Sequence, residues 1–233
     1  MIGNTRPTPR AGTSAPRTLR VTTDERGPLV VLLHGFAGSA EDLEPFSRTS
    51  GVGARFVFPE GFSDLSAFGI SGRGWWPSDG RSRAAALQEG VPRDLSGFEP
   101  EGLDAAHQAL SQLLDEWTRE APDAPVVIGG FSQGAMLAFD VALRSRRPLA
   151  AVVQLSGARI ARRIWDPLLS SRAGTRAFIS HGRSDPDLAF RATEHFDADL
   201  RAAGWRTDFC PFDGGHAVSI AALRGLKRFL REL

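Results

Sequence analysis

The chain has 233 residues, 42% of them hydrophobic and 24% charged, which is the composition of an ordinary soluble globular protein with enough apolar side chains for a sizeable core. Lys and Arg total 28 against 27 Asp and Glu, a formal net charge of +1, so nucleic-acid binding has no electrostatic footprint and no nucleic-acid partner is expected. One lysine, Lys227, and one cysteine, Cys210, leave no P-loop or Schiff-base lysine, no internal disulfide and no structural zinc cluster.

The first residues, rich in Pro, Arg, Ser and Thr, are expected to form a flexible segment over 1–17. They lack the apolar centre of a secretory signal, and their prolines oppose the amphipathic helix of a transit peptide. No later run approaches the roughly 18 apolar residues of a membrane span. A cytoplasmic protein without stable membrane insertion is therefore expected. Since α/β folds of about 200–250 residues commonly form one unit, 18–233 is expected to be a single domain.

From there, short apolar runs alternate with segments of helical period. Leu29 to Leu33 and Arg55 to Phe58 read as strands buried on both faces. The stretch from Pro59 to Pro100, dense in Gly, Ser, Pro and aromatics, reads as a long ordered loop of the kind that often carries function. Leu103, Ala106, Leu110, Leu113, Leu114 and Trp117 recur at three- and four-residue steps and predict one apolar helix face. Val126 to Ile128, Ala150 to Val153 and Ala177 to Ile179 read as further buried strands. Helices are predicted after Ser132, from about Leu188 to Ala203 and from about Val218 to Leu230. Strand, crossover helix and strand in repetition predict an α/β sheet with helices on both faces.

The sharpest motif is Gly130-Phe131-Ser132-Gln133-Gly134, between a predicted strand and a predicted helix. G-x-S-x-G in that context is a nucleophile elbow, whose glycines let strand and helix nearly touch while the serine is lifted above the sheet edge. A plain helix-capping serine is the alternative. An activated serine needs a base, and the base needs an anionic partner. His216, in Asp213-Gly214-Gly215-His216 before the last helix, is the candidate base. Asp185, in the loop after Ala177 to Ile179, is the candidate acid; Asp187 competes for that role, and Asp185 could instead cap a helix starting near Pro186. The oxyanion hole would use the N–H groups of Phe36, in His34-Gly35-Phe36-Ala37-Gly38, and of Gln133. Phe62, Phe68, Trp75 and Trp76, together with Phe36, are candidates for an apolar substrate wall, although packing beneath the loop explains each equally well. His107 and His195 fall on predicted helices and are expected to be structural or solvated, and His181 is expected to brace the site.

These motifs, with Asp185-Pro186 and Gly214-Gly215-His216, resemble the phospholipase/carboxylesterase family of α/β-hydrolases, which includes the acyl-protein thioesterases. The likeness runs from about Pro28 to Leu230, and Trp75-Trp76-Pro77 resembles the family's tryptophan-containing loop near the substrate pocket. It implies an α/β-hydrolase fold with a mostly parallel central sheet and no large cap domain. The implied activity is hydrolysis of small-molecule carboxylic esters or thioesters without a cofactor or metal. The chain departs from the family spelling after the acid, where Asp187-Leu188-Ala189 replaces a run toward Val-Pro, and in an extended Arg- and Ala-rich loop from Gly69 to Pro92. Protein depalmitoylation is therefore not carried over. Two alternatives use the same residues: a binding or sensory protein on a hydrolase scaffold, and an acyltransferase.

Overall fold

The computed structural model describes residues 16–78 and 80–233. In chain order the elements are β1 (Thr18–Thr22), β2 (Leu29–Leu33), α1 (Glu44–Thr49), β3 (Arg55–Pro59), β4 (Ser63–Asp64), β5 (Arg73–Gly74), α2 (Arg81–Glu89) and α3 (Leu103–Arg119). They continue as β6 (Val126–Phe131), α4 (Gln133–Arg144), β7 (Ala151–Leu155), α5 (Arg162–Trp165), β8 (Arg176–Gly182), α6 (Phe190–Ala202), β9 (Arg206–Phe212) and α7 (Ile220–Arg231). Seven strands form the main sheet in the order β1-β3-β2-β6-β7-β8-β9, with β1 antiparallel to β3 and every other pairing parallel.

Both faces of this sheet are covered, which is why its central strands are apolar without alternation: β2 and β7 are buried at every position. Val31, Leu33, Ile128, Val152 and Ile179 pack with Leu110, Leu137, Phe139, Phe196 and Leu200, so α3, α4 and α6 cover one face. Val30, Leu32, Val127, Val153 and Phe178 pack with Phe46, Leu226 and Phe229, so α1 and α7 cover the other. Neighbouring strand residues thus serve opposite layers, as the pleat requires.

The predicted strands and major helices are present, but several expectations are corrected. The stretch from Pro59 to Pro100 is not a plain loop. It holds the β4–β5 hairpin, a 3₁₀ turn over Ser66–Phe68 and the helix α2. Only Ala86 of α2 is buried, so the helix lacks the apolar stripe that a periodicity reading needs. The short helix α1 and the edge strands β1 and β9 are additions, because half-exposed edge strands have no continuous apolar run. The segment predicted to be flexible over 1–17 lies outside the described residues up to residue 15. At its end, the Arg17 carbonyl accepts a hydrogen bond from the Glu60 N–H at 2.8 Å. No described helix is long and apolar enough to cross a membrane.

Candidate active site

The elbow forms where β6 meets α4. A Cβ on Gly130 would lie 2.4 Å from the Leu33 carbonyl oxygen, and one on Gly134 would lie 2.4 Å from that of His34. Only glycine lets β6 and α4 press this closely on the end of β2. Ser132 is thereby held at φ 52° and ψ −119°, outside the conformations that L-residues ordinarily adopt. Its Oγ lies 2.9 Å from His216 Nε2, and His216 Nδ1 lies 2.7 Å from Asp185 Oδ2. His216 is carried on the loop between β9 and α7, and Asp185 on the loop after β8. Three side chains far apart in the chain therefore meet at the carboxyl ends of the central strands, where parallel sheets collect ligands.

The Asp185 carboxylate faces a full set of donors. Oδ1 accepts the N–H groups of Asp187, at 2.8 Å, and Leu188, at 3.0 Å. Oδ2 takes His216 Nδ1 and, at 3.1 Å, His181 Nε2. Burial opposes ionisation of Asp185, but the hydrogen bonds from His181, His216 and the Leu188 N–H outweigh it and hold the carboxyl far below the usual carboxylate range. A carboxylate on Nδ1 requires the proton there, which leaves the Nε2 lone pair for the serine hydroxyl.

Both readings of Asp185 thus meet in one residue, for it caps the following turn and also holds the imidazole. The helix does not start near Pro186. It begins at Phe190, because the Ala189 N–H donates to the Arg93 carbonyl and Arg93 forms a parallel bridge with Leu188. Asp187 is drawn away from the acid position by two guanidinium groups: Arg83 Nε lies 2.8 Å from its Oδ2 and Arg93 Nε 3.0 Å from its Oδ1. Its Oδ2 stays 4.0 Å from His216 Nε2.

His181 is buried in β8 and braces the acid, as expected. The Leu188 carbonyl at 3.2 Å and the Asp185 carboxylate both demand a donor, so Nε2 carries the proton and Nδ1 accepts from the Thr193 hydroxyl at 3.0 Å. His107 pairs with the buried Asp140 at 2.9 Å, and His195 is exposed on α6.

The loop from His34 to Gly38 closes over the elbow. A Cβ on Gly35 would lie 3.5 Å from Ser132 Cβ. The Gly35 carbonyl accepts the Gly38 N–H at 3.1 Å and His34 Nδ1–H at 2.7 Å, while His34 Nε2 accepts the Gly61 N–H at 2.8 Å. Ala37 is forced to φ 61° at the tip. The N–H groups of Phe36 and Gln133 have no protein acceptor among the described residues. Backbone donors left open beside a buried serine are what a developing oxyanion requires.

The expected aromatic wall is corrected in part. Trp75 and Trp76 are only 1% and 4% exposed and belong to the core under the loop. Trp75 acts as a brace: its backbone N–H donates to Gln133 Oε1 at 3.0 Å and its Nε1–H to the His34 carbonyl at 2.8 Å. Phe62 packs edge-on against Trp75, while Phe68 is exposed. Mostly apolar space lies instead in a cavity of about 360 Å³ lined by Gly35, Leu43, Pro45, Phe46, Phe131, Val218 and Leu223, together with the polar Asp42 and Thr49. Phe131 precedes Ser132 and Val218 lies two residues after His216, and that closeness in the chain was the signal available for this cavity. Among the described residues no group of three or more His, Cys, Asp or Glu gathers as metal ligands.

A profile described as phospholipase/carboxylesterase matches residues 19–233. The chain belongs to this family. It is a serine hydrolase of the ester- and thioester-cleaving kind, with the family's mostly parallel sheet and no large cap. Among curated relatives, acyl-protein thioesterase 1 of Neurospora crassa is 25% identical over 213 residues, covering 85% of this chain and 81% of the relative. The protein of the same name in Yarrowia lipolytica is 27% identical over 173 residues, covering 69% and 70% respectively. Among solved structures, esterase PE8 superposes with a TM-score of 0.74 at 26% identity, over 94% of this chain and 98% of that one. Acyl-protein thioesterase 2 of Zea mays superposes at 0.73 with 20% identity, over 93% and 98%, and shares the fold.

Proposed function

We propose that this family member cleaves small-molecule carboxylic esters or thioesters through an acyl-enzyme on Ser132, without a cofactor. Ser132 Oγ attacks the acyl carbonyl as His216 Nε2 takes its proton, and Asp185 stabilises the imidazolium that forms. The N–H groups of Phe36 and Gln133 hold the oxyanion, and the imidazolium returns the proton to the departing alcohol or thiol. Water then repeats the sequence and releases the acid. The cavity beside Phe131 and Val218 would take an apolar portion of the substrate.

The observation that carries this reading is the relay of 2.9 Å and 2.7 Å from Ser132 through His216 to Asp185. The test is a fluorophosphonate probe with p-nitrophenyl esters of increasing acyl length, one aryl ester and one thioester. The wild type should label at Ser132 and release p-nitrophenol, and Ser132→Ala should do neither. Unchanged turnover in Ser132→Ala would dispose of the mechanism. The proposed location is the cytoplasm, which cell fractionation would check.

A further inference from the structure

We propose that Arg83 binds an anionic group on the leaving-group side of the site, so that this hydrolase favours esters or thioesters whose alcohol or thiol portion carries a negative charge. The inference rests on the Ser132 mechanism and extends it to a substrate class.

The argument starts at Asp187, whose side chain is 3% exposed and whose Oδ2 lies 4.0 Å from His216 Nε2. That nitrogen hands its proton to the leaving group, so charges gathered around it face the alcohol or thiol portion of a bound ester. Two guanidinium groups meet this one carboxylate. Arg93 contacts Oδ1 through Nε and Nη2, and its backbone is tied to the same loop: its N–H donates to the Asp187 carbonyl at 2.8 Å and its carbonyl accepts the Ala189 N–H at 3.0 Å. One cation suffices to neutralise Asp187, and Arg93 is the one built into the fold.

Arg83 is the surplus. It reaches Asp187 from α2 through Nε alone, at 2.8 Å on Oδ2, the oxygen nearer His216. Its side chain is 46% exposed, and its two Nη groups have no protein acceptor among the described residues. A guanidinium offers five donors in a rigid fork, so one contact orients the group and leaves most of the fork for a carboxylate, sulfonate or phosphate. Two guanidinium groups share the single Asp187 carboxylate, while Asp185, the other carboxylate beside His216, is occupied by the His216 and His181 imidazoles. The apolar cavity beside Phe131 has Asp42 in its lining, which would repel an anionic group.

The experiment compares two acetyl thioesters of equal length on the full chain, those of 3-mercaptopropionate and of its neutral amide, with thiol release as the readout. The thioester of 2-mercaptoethanesulfonate separates carboxylate recognition from general anion recognition. The wild type should prefer the anionic thioesters by about tenfold to a hundredfold in kcat/KM, the range of a charge-assisted hydrogen bond, with the difference carried in KM and reduced by salt. Arg83→Gln should bring the ratio near one, and Arg83→Lys should retain part of it. A ratio of two rates on one preparation is insensitive to the folded fraction. Equal release from the charged and neutral thioesters, or release from neither, while p-nitrophenyl acetate is cleaved would overturn the proposal and leave the hydrolase reading standing. Persistence of the preference in Arg83→Gln would also overturn it. Failure to cleave any ester would overturn both readings.

Discussion

Replacing Asp185 by asparagine removes one charge and turns one of two acceptor oxygens into a donor. The native carboxylate accepts four hydrogen bonds, two backbone N–H groups on Oδ1 and the two imidazoles of His216 and His181 on Oδ2. An amide has a single oxygen, and the fixed backbone donors of Asp187 and Leu188 claim it. Its NH₂ group then faces both imidazoles. His216 must present a lone pair at Nδ1 and carry its proton on Nε2, against the serine hydroxyl, where a base is needed. Hydrolases with this constellation lose about 10⁴ in kcat by that change of tautomer, and the same loss is expected here.

Stability should fall by about 3 kcal/mol, because buried donors on His181 and the loop lose a charged acceptor. The pH dependence has a definite sign. The folded carboxyl is held below its unfolded value, so its contribution is complete above about pH 4 and is lost as the pH falls below that. Asp185→Asn should therefore show a flatter acid-unfolding curve. The assay is steady-state hydrolysis of p-nitrophenyl acetate with thermal unfolding from about pH 3 to 7. A kcat within about tenfold of the wild type, or a larger loss in Asp187→Asn, would transfer the role away from Asp185.

Other substitutions probe the supports. Trp75→Phe removes the donor to the buried His34 carbonyl and should cost about 1–3 kcal/mol in calorimetry, with lower turnover as the oxyanion loop loosens. Gly134→Ala sets a Cβ 2.4 Å from the His34 carbonyl oxygen and 2.5 Å from that of Leu33, both backbone atoms. A loss of about 3 kcal/mol in urea unfolding is expected, and an unaltered midpoint would refute the close-approach argument. Burial holds the His34 imidazole below its usual pKa, and the Gly61 N–H aimed at Nε2 requires the neutral ring. Its contribution is complete above about pH 6.5 and declines below that, so His34→Gln should flatten the loss of stability between about pH 7 and 5.

What was legible in the sequence divides by the range of the forces involved. The buried strands and α3 show because each faces a uniform surroundings, apolar on both sides for β2 and on one stripe for α3. α2 was hidden because only Ala86 on it is buried, so it carries no apolar stripe. β9, which includes Pro211 and in which only Thr207 and Phe212 are buried, takes its strand form from pairing with β8 along one edge. Trp75 was ambiguous for a similar reason. An indole in a loop suits a substrate wall or a core, and its hydrogen bond to the His34 carbonyl exists only once β2 and the β5 region are adjacent.

By itself the sequence marked the elbow and the serine proposed as nucleophile, since the glycine spacing is local to Gly130 to Gly134, although the backbone those glycines make room for is that of Leu33 and His34. The sequence put Asp185 ahead of Asp187, two residues apart in one loop, but only the tertiary structure separates their surroundings. Strand order brings His216 to 2.7 Å from one carboxylate while Arg83 and Arg93 occupy the other, and no local pattern encodes distances across neighbouring strands.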